Sequence, residues 1–304
     1  MDAFLKTLQT LPEASELIAR VENGGCPAVL TGTAPVQRAC IGAAVAAGTG
    51  RPAVFLCADE REARQLAGDL QSLTGQEPVT LLAREWQFRP NAVASREWER
   101  SRLAALYRMA SGAVPAVVAT IDALMTRTLP PQRLAALSVT LRPGDRVELG
   151  ALTERLVQAG YSRCEQVEGV GQFAIRGGIL DVFSPLMEQP VRCEFFDDEV
   201  DSLGAFDPGT QRRTEYVSAA LLLPAAEVLP GLAPGGPARL AEELERLAVK
   251  YAKKAETAAV AQTLRGDAER FRTGAAVEGL DRYLSLIYPD AVCGADYLPP
   301  DSVV

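Results

Sequence analysis

The chain contains no histidine and almost no lysine. Its 31 basic residues include only four lysines, Lys6, Lys250, Lys253 and Lys254, so none falls between positions 7 and 249. Each absence removes chemistry. Without imidazole there is no Ser-His-Asp triad, no Cys-His pair and no histidine metal ligand. The lysine gap excludes Schiff-base catalysis over that span. It also excludes a working P-loop, whose ammonium must reach the β- and γ-phosphates. The six cysteines, Cys26, Cys40, Cys57, Cys164, Cys193 and Cys293, include no C-x-x-C pair, which argues against a zinc ribbon. No basic-then-apolar leader opens the 304 residues, so free thiols in a reducing cytosol are expected rather than a disulfide framework. The longest apolar stretch, Ala39 to Ala47, is too short to span a bilayer. A cytoplasmic protein with no membrane partner is expected. A net charge of −8, from 31 basic and 39 acidic residues, argues against a dedicated nucleic-acid binder, so direct nucleic-acid binding is expected to be weak or absent.

What is present reads as two or three domains, given the length. Up to about residue 125, strand and helix signals alternate. Ala28-Val29-Leu30, Ala53 to Cys57, Val79 to Leu82 and Val114 to Ala119 are apolar strand runs. Helices are expected over Pro35 to Ala47, from Glu60 to Leu73 with Asp59 as cap, from Ser95 as cap through Met109, and after Thr120. This order implies α/β architecture with a parallel sheet. From about 126 to 213 the pattern becomes α+β. A helix over Leu149 to Ala159, ended by Gly160, is followed by short strands at Glu165–Glu168, Gln172–Arg176, Ile179–Phe183, Val191–Phe196 and Glu199–Phe206, consistent with an antiparallel sheet. Residues 214–304 are mainly helical, and the composition of Ala238 to Leu264 predicts one long helix. Val303-Val304 reads as the start of a buried strand, so the chain is expected to be a fragment of something longer.

Candidate chemistry is sparse. The first βα junction, Leu30-Thr31-Gly32-Thr33-Ala34-Pro35-Val36-Gln37-Arg38, is where such a fold would place phosphates. It has one glycine, Pro35 lacks an N–H, and Gln37-Arg38 stand near the slot of the usual Lys-Ser/Thr. A loop that binds no nucleotide is expected, with anion binding at the helix start as the alternative. Asp197, Asp198, Glu199 and Asp201 read as a solvated hairpin turn, with a hard-cation site as the alternative. Alternation places Gln172, Ala174 and Arg176 on one strand face and Phe173 and Ile175, as core, on the other. Arg176 is then either a surface salt-bridge partner or a protein-interface anchor.

A long, ordered set of residues carries a resemblance. Gly171-Gln172-Phe173-Ala174-Ile175-Arg176-Gly177-Gly178-Ile179-Leu180-Asp181-Val182-Phe183-Ser184-Pro185, then Val191 to Leu203 (VRCEFFDDEVDSL), Phe206-Asp207 and Gln211-Arg212-Arg213 resemble the bacterial transcription-repair coupling factor family (Mfd). They are similar, more distantly, to the excision-repair protein UvrB. Trp86 to Tyr107 resembles the stretch that in this family replaces UvrB's longer aromatic hairpin. Tyr297 to Val304 resembles the approach to the next strand of the module.

The resemblance implies a decayed helicase-like α/β domain at 1–125, an α+β antiparallel-sheet adaptor that binds UvrA at 126–213, and a helical segment at 214–304 packing back on the first domain. It implies that Arg176 and Arg163, the latter two residues after Tyr161, meet UvrA, with Phe183 in the same motif as contact or core. UvrB carries a further arginine at the position of Ala174. Thr31, Gly32, Thr33, Gln37 and Arg38 are then a degenerate nucleotide loop, and no cofactor is expected in this fragment. ATP and Mg, RNA polymerase and DNA would belong to domains further on. The expectation is a non-catalytic docking module recruiting UvrA. The alternatives are a UvrB-like nucleotide-dependent DNA-binding protein and an autoinhibitory clamp for the motor.

Overall fold

The computed structural model describes residues 2–25, 27–83, 96–112 and 114–304. They form two compact units, each assembled from separate stretches of chain. The first comprises Met1–Trp86, Ala105–Arg127 and Cys293–Val304; the second comprises Gln87–Ala104 and Thr128–Val292. The segment 214–304, expected as one part, is divided between them, with 214–292 in the second unit and 293–304 in the first.

The first unit runs α1 (Asp2–Gln9), α2 (Pro12–Glu22), α3 (Pro35–Thr49), β1 (Ala53–Cys57), α4 (Glu60–Thr74), β2 (Val79–Leu81), the end of α5 (Arg96–Ala110), β3 (Ala116–Thr120) and α6 (Ile121–Met125). The three strands form a parallel sheet in the order β1-β3-β2. Asp59 caps α4 by accepting the Glu62 N–H at 2.8 Å, and Thr120 caps α6 by accepting the Ala123 N–H at 3.3 Å. Both side chains satisfy a backbone donor that the first helical turn leaves open. The expected Ser95 cap, residues 86–95 of the Trp86 to Tyr107 segment, and Cys26 lie outside the described residues.

Ala28-Val29-Leu30 is not a strand, and Val29 is 87% exposed. β1 is flanked instead by β3 on one side and by Val303 on the other, where Val303 bridges Ala53 in parallel. Val54 N–H donates to the Val303 carbonyl at 2.7 Å, and Val303 N–H to the Pro52 carbonyl at 2.9 Å. Val303 therefore pairs as a strand start does, while Val304 is 76% exposed rather than buried. Small residues let α3 approach the sheet. Ala39 and Ala43 pack in one cluster with Cys57, Ala63, Leu70 and Val118, and a Cβ added at Gly42 would lie 2.3 Å from the Phe55 ring.

After β4 (Arg127–Thr128) come α7 (Pro131–Leu137), β5 (Val139–Leu141), α8 (Leu149–Gln158), β6 (Ser162–Arg163), β7 (Gln172–Arg176), β8 (Ile179–Val182), β9 (Val191–Phe196), β10 (Glu199–Phe206), β11 (Arg213–Tyr216), β12 (Ala220–Leu222), α9 (Gly236–Tyr251), α10 (Ala258–Thr273) and α11 (Leu284–Ile287). Six strands form one sheet in the order β11-β10-β9-β8-β7-β6. Every pair is antiparallel except β6 with β7. β5 and β12 pair separately. One sheet face carries Phe173, Leu180, Val182, Val191, Cys193 and Leu203, packed with Leu152 and Leu156 of α8. This is the two-residue period of a half-buried sheet.

Two expectations fail here. Glu165–Glu168 is irregular rather than a strand, because the Gln172 side chain accepts the Glu168 and Gly169 N–H groups at 2.9 Å each and folds the loop locally. Ala238 to Leu264 is not one helix. α9 and α10 are separate, broken at residues 252–257 where Thr257 Oγ1 donates to the Tyr251 carbonyl. Leu240, Ala241, Leu244 and Ala248 stripe α9, while Ala261, Leu264, Ala268 and Phe271 stripe α10. Folding back lets the two helices pack together and bury stripes that a straight helix would leave in water.

α8 ends as expected at Gly160, whose φ of +86° places it in the left-handed region where only glycine sits without strain. A Cβ there would also lie 2.6 Å from Leu229 Cδ2. Gly160→Ala is expected to destabilise the protein by about 1–3 kcal/mol, read as a lower urea midpoint at unchanged m.

Candidate functional site

The other face of the six-stranded sheet is polar. The register aligns Ala174, Asp181, Arg192, Gly204 and Tyr216 across five strands. Paired residues point to the same side, so this row and its neighbours two residues along belong to one face.

Asp181 is the centre of that face and only 1% exposed. Arg192 clasps it with two bonds, Nε to Oδ1 at 2.7 Å and Nη2 to Oδ2 at 2.9 Å. Arg176 Nη2 reaches Oδ2 at 2.9 Å. A buried carboxylate is tolerable only when paired and hydrogen-bonded, and both conditions hold. The Asp181 bonds are also the main reason the Arg192 guanidinium holds its proton above its ordinary range. Arg192 lies 4.9 Å over the Phe206 ring, so its position is fixed from two sides. Two cations on one anion leave a surplus positive charge. It is displayed at Arg176, whose side chain is 53% exposed.

Next to this triad, Glu194 accepts from Ser202 Oγ at 2.7 Å and from Arg213 Nη2. Arg213 donates through Nη1 to the Tyr216 hydroxyl at 2.7 Å and stacks 4.6 Å from that ring. The Ser202 bond first, and then the Arg213 charge, hold the Glu194 carboxyl below its ordinary range. Phe196 and Tyr216 are 81% and 71% exposed, while one end of the face is closed by a small cluster of Val167, Ala174, Phe183 and Phe206.

Of the expected site residues, Arg176 stands on the open polar face. Phe183 is core, 9% exposed in the closing cluster. Arg163 is exposed on the edge strand β6 and makes no ion pair among the described residues. Its register partner is Phe173, so it belongs to the opposite face from Arg176, and the two arginines do not share one plane. Ala174, where UvrB has an arginine, is 1% exposed and supports the closing cluster. Sequence reasoning missed Asp181, Arg192, Glu194, Arg213 and Tyr216. For Asp181 and Arg192 the signal was there: a lone carboxylate inside Ile179-Leu180-Asp181-Val182-Phe183 requires a cation on a facing strand.

In the first unit, Thr31 and Gly32 are exposed and Thr33 partly so. Gln37 Oε1 accepts the Ala34 N–H at 2.8 Å, and Arg38 Nη1 pairs with Glu62 Oε1 at 3.0 Å. The residues near the slot of a phosphate-binding Lys-Ser/Thr pair are thus engaged with the protein's own groups. Asp197, at φ +58°, makes the tight turn between β9 and β10. Among the described residues no cluster of three or more His, Cys, Asp or Glu is arranged to hold a metal, and no helix is long and apolar enough to cross a membrane. Cys57 and Cys193 are buried and Cys40, Cys164 and Cys293 partly so, all as free thiols.

Comparison with known sequences matches residues 139–227 to the family described as the UvrB interaction domain. The transcription-repair-coupling factor of Bacillus subtilis is 30% identical over 310 residues, covering 100% of this chain and 26% of that protein. That of Myxococcus xanthus is 37% identical over 59% of this chain and 16% of its own length. That of Mycobacterium tuberculosis is 31% identical over 92% and 22%. The chain therefore spans about a quarter or less of the curated relatives it matches.

Asp181→Asn keeps the shape but strips the charge from beneath two arginines. It is expected to destabilise the second unit by about 3 kcal/mol, measured by urea unfolding. Glu194 gives a pH signature. Its folded-state value lies below the ordinary 4.5, so its contribution is full above that value and fades as pH falls through the depressed folded-state range. Glu194→Gln is expected to flatten this part of the acid limb of stability against pH while leaving the limb above pH 6 parallel to wild type.

Proposed function

The chain belongs with the transcription-repair-coupling factors as an N-terminal module carrying a UvrB interaction domain, and from that premise we propose that it is a non-catalytic docking module for UvrA. One observation carries the reading. Within the matched domain, a half-exposed Arg176 is held by the buried Asp181 on the open face of a rigid sheet. A guanidinium fixed in this way presents its remaining N–H donors in a planar fork suited to a carboxylate on a partner. Arg163 at the β6 edge extends the contact around the rim, and Phe183 supports the sheet from within the core. In this reading the first unit is a helicase-like domain whose nucleotide loop has decayed, with Gln37 and Arg38 bonded to the protein's own groups. ATP, Mg, DNA and RNA polymerase are handled by the parts of the longer relatives that this chain does not span. The module then brings UvrA to transcription complexes stalled on DNA, inside the cytoplasm.

The test is calorimetric titration of UvrA with the chain and its variants, with circular dichroism as the folding control. Wild type is expected to bind, Arg176→Ala to bind at least tenfold more weakly, in line with loss of a desolvated charge pair, and Arg163→Ala to show a smaller loss. No binding by wild type, or equal binding by Arg176→Ala, overturns the reading. Titration with ATP and Mg²⁺ is expected to release no heat of binding; micromolar affinity would instead support a UvrB-like nucleotide-dependent protein.

A further inference from the structure

We infer that the docking face has a second contact pole, made by Tyr216 and the Arg213 that braces it, and that this pole meets the same UvrA surface as Arg176. The inference rests on the docking reading above and adds residues to which the sequence resemblance gave no contact role.

Tyr216 lies on the edge strand β11 and is 71% exposed, yet its ring is not free to move. Arg213 stacks on it at 4.6 Å and donates to its hydroxyl at 2.7 Å. The other arm of Arg213 is held by Glu194, which Ser202 holds in turn. The brace needs a gap in the sheet, and Gly204 supplies it. Gly204 sits inside the eight-residue strand β10, where a glycine weakens a strand unless something approaches closely. What approaches is Arg213: a Cβ on Gly204 would lie 2.6 Å from its Nε and 2.8 Å from its Cδ. The stem of Arg213 therefore crosses β10 through the space left by the missing side chain to reach Glu194 on β9.

Tyrosine and arginine dominate the energetics of protein interfaces. An aromatic ring already fixed in the free protein forfeits less entropy on binding. The distances also fit a single partner. Arg176 on β7 and Tyr216 on β11 are four strand spacings apart, about 19 Å, while a standard interface covers about 800 Å² per side, a patch roughly 30 Å across. The occupant's chemistry follows from the charges. Arg176, Arg192 and Arg213 against Asp181 and Glu194 leave this face positive in a chain of net charge −8. The UvrA surface should offer carboxylate near Arg176 and an apolar or aromatic contact for Tyr216.

The experiment titrates UvrA with the full chain as wild type, Arg176→Ala, Tyr216→Ala, Tyr216→Phe and Gly204→Val, following urea midpoints in parallel. Tyr216→Ala is expected to weaken binding about tenfold with little change in midpoint, and Tyr216→Phe to stay within about threefold of wild type. Gly204→Val, which displaces Arg213 from the space beside Tyr216, is expected to reproduce the loss. Should it fail to fold, Tyr216→Ala decides alone. If Arg176→Ala weakens binding and Tyr216→Ala does not, the second pole is overturned while the docking reading stands. If Tyr216→Ala weakens binding and Arg176→Ala does not, UvrA meets Tyr216 without Arg176, and both the arginine reading and the shared two-pole face are overturned. Wild type that does not bind UvrA overturns both.

Discussion

The polar face of the second unit depends on one buried carboxylate. Asp181, 1% exposed, sits in a strand whose flanking residues, Leu180 and Val182, point into the core. A charge taken out of water in this way must be repaid locally, and Arg192 and Arg176 do so from the strands on either side. The stacking of Arg192 on Phe206 ties this electrostatic arrangement to the small cluster that closes one end of the face. Arg176 is thereby a structural ion-pair partner and an exposed cation at once. Of the two readings left open by the sequence, the salt-bridge partner is the one this side chain realises.

Much of this architecture was legible in advance. Strand alternation at 172–176 separated Phe173 from Arg176, because a sheet with one face in the core imposes a period of two. Caps at Asp59 and Thr120 and the stop at Gly160 were legible for the same reason: each is a local demand of a helix end on one residue. Signals failed where the deciding partner was distant. Nothing local shows that the place beside β1 goes to Val303 rather than to Ala28-Val29-Leu30, or that Gln172 reaches back to hold Glu168 and Gly169 out of the ladder. Composition alone cannot separate one long helix from the α9–α10 hairpin, since either gives the same residue propensities and only tertiary burial of the two stripes favours the turn.

The candidate site divides along the same line. Arg163 was found through resemblance and Arg176 through strand alternation as well, but their placement on opposite faces of the sheet follows from the β6–β7 register, which motif matching does not carry. Phe183 could be contact or core by motif and is core by burial. The network of Glu194, Ser202, Arg213 and Tyr216 was illegible because β11 was not anticipated as a strand, and without β11 no argument brings Arg213 across β10.

The shortage of lysine bears on this face in a physical way. Every cation in the network is an arginine, and two of the three use more than one edge of the fork. Arg192 grips both oxygens of Asp181 and stacks on a ring, and Arg213 bonds a carboxylate and a phenol while lying on the same phenol's ring. A lysine ammonium offers a compact, strongly hydrated charge without a plane, so it could replace the charge but not the bracing. Bracing is what separates this surface from an ordinary charged one. An exposed ion pair contributes little, because water competes and two long side chains must be ordered. Here the ordering is met on folding, by groups already fixed in the sheet, so a partner that meets Arg176 and Tyr216 encounters side chains with little left to lose.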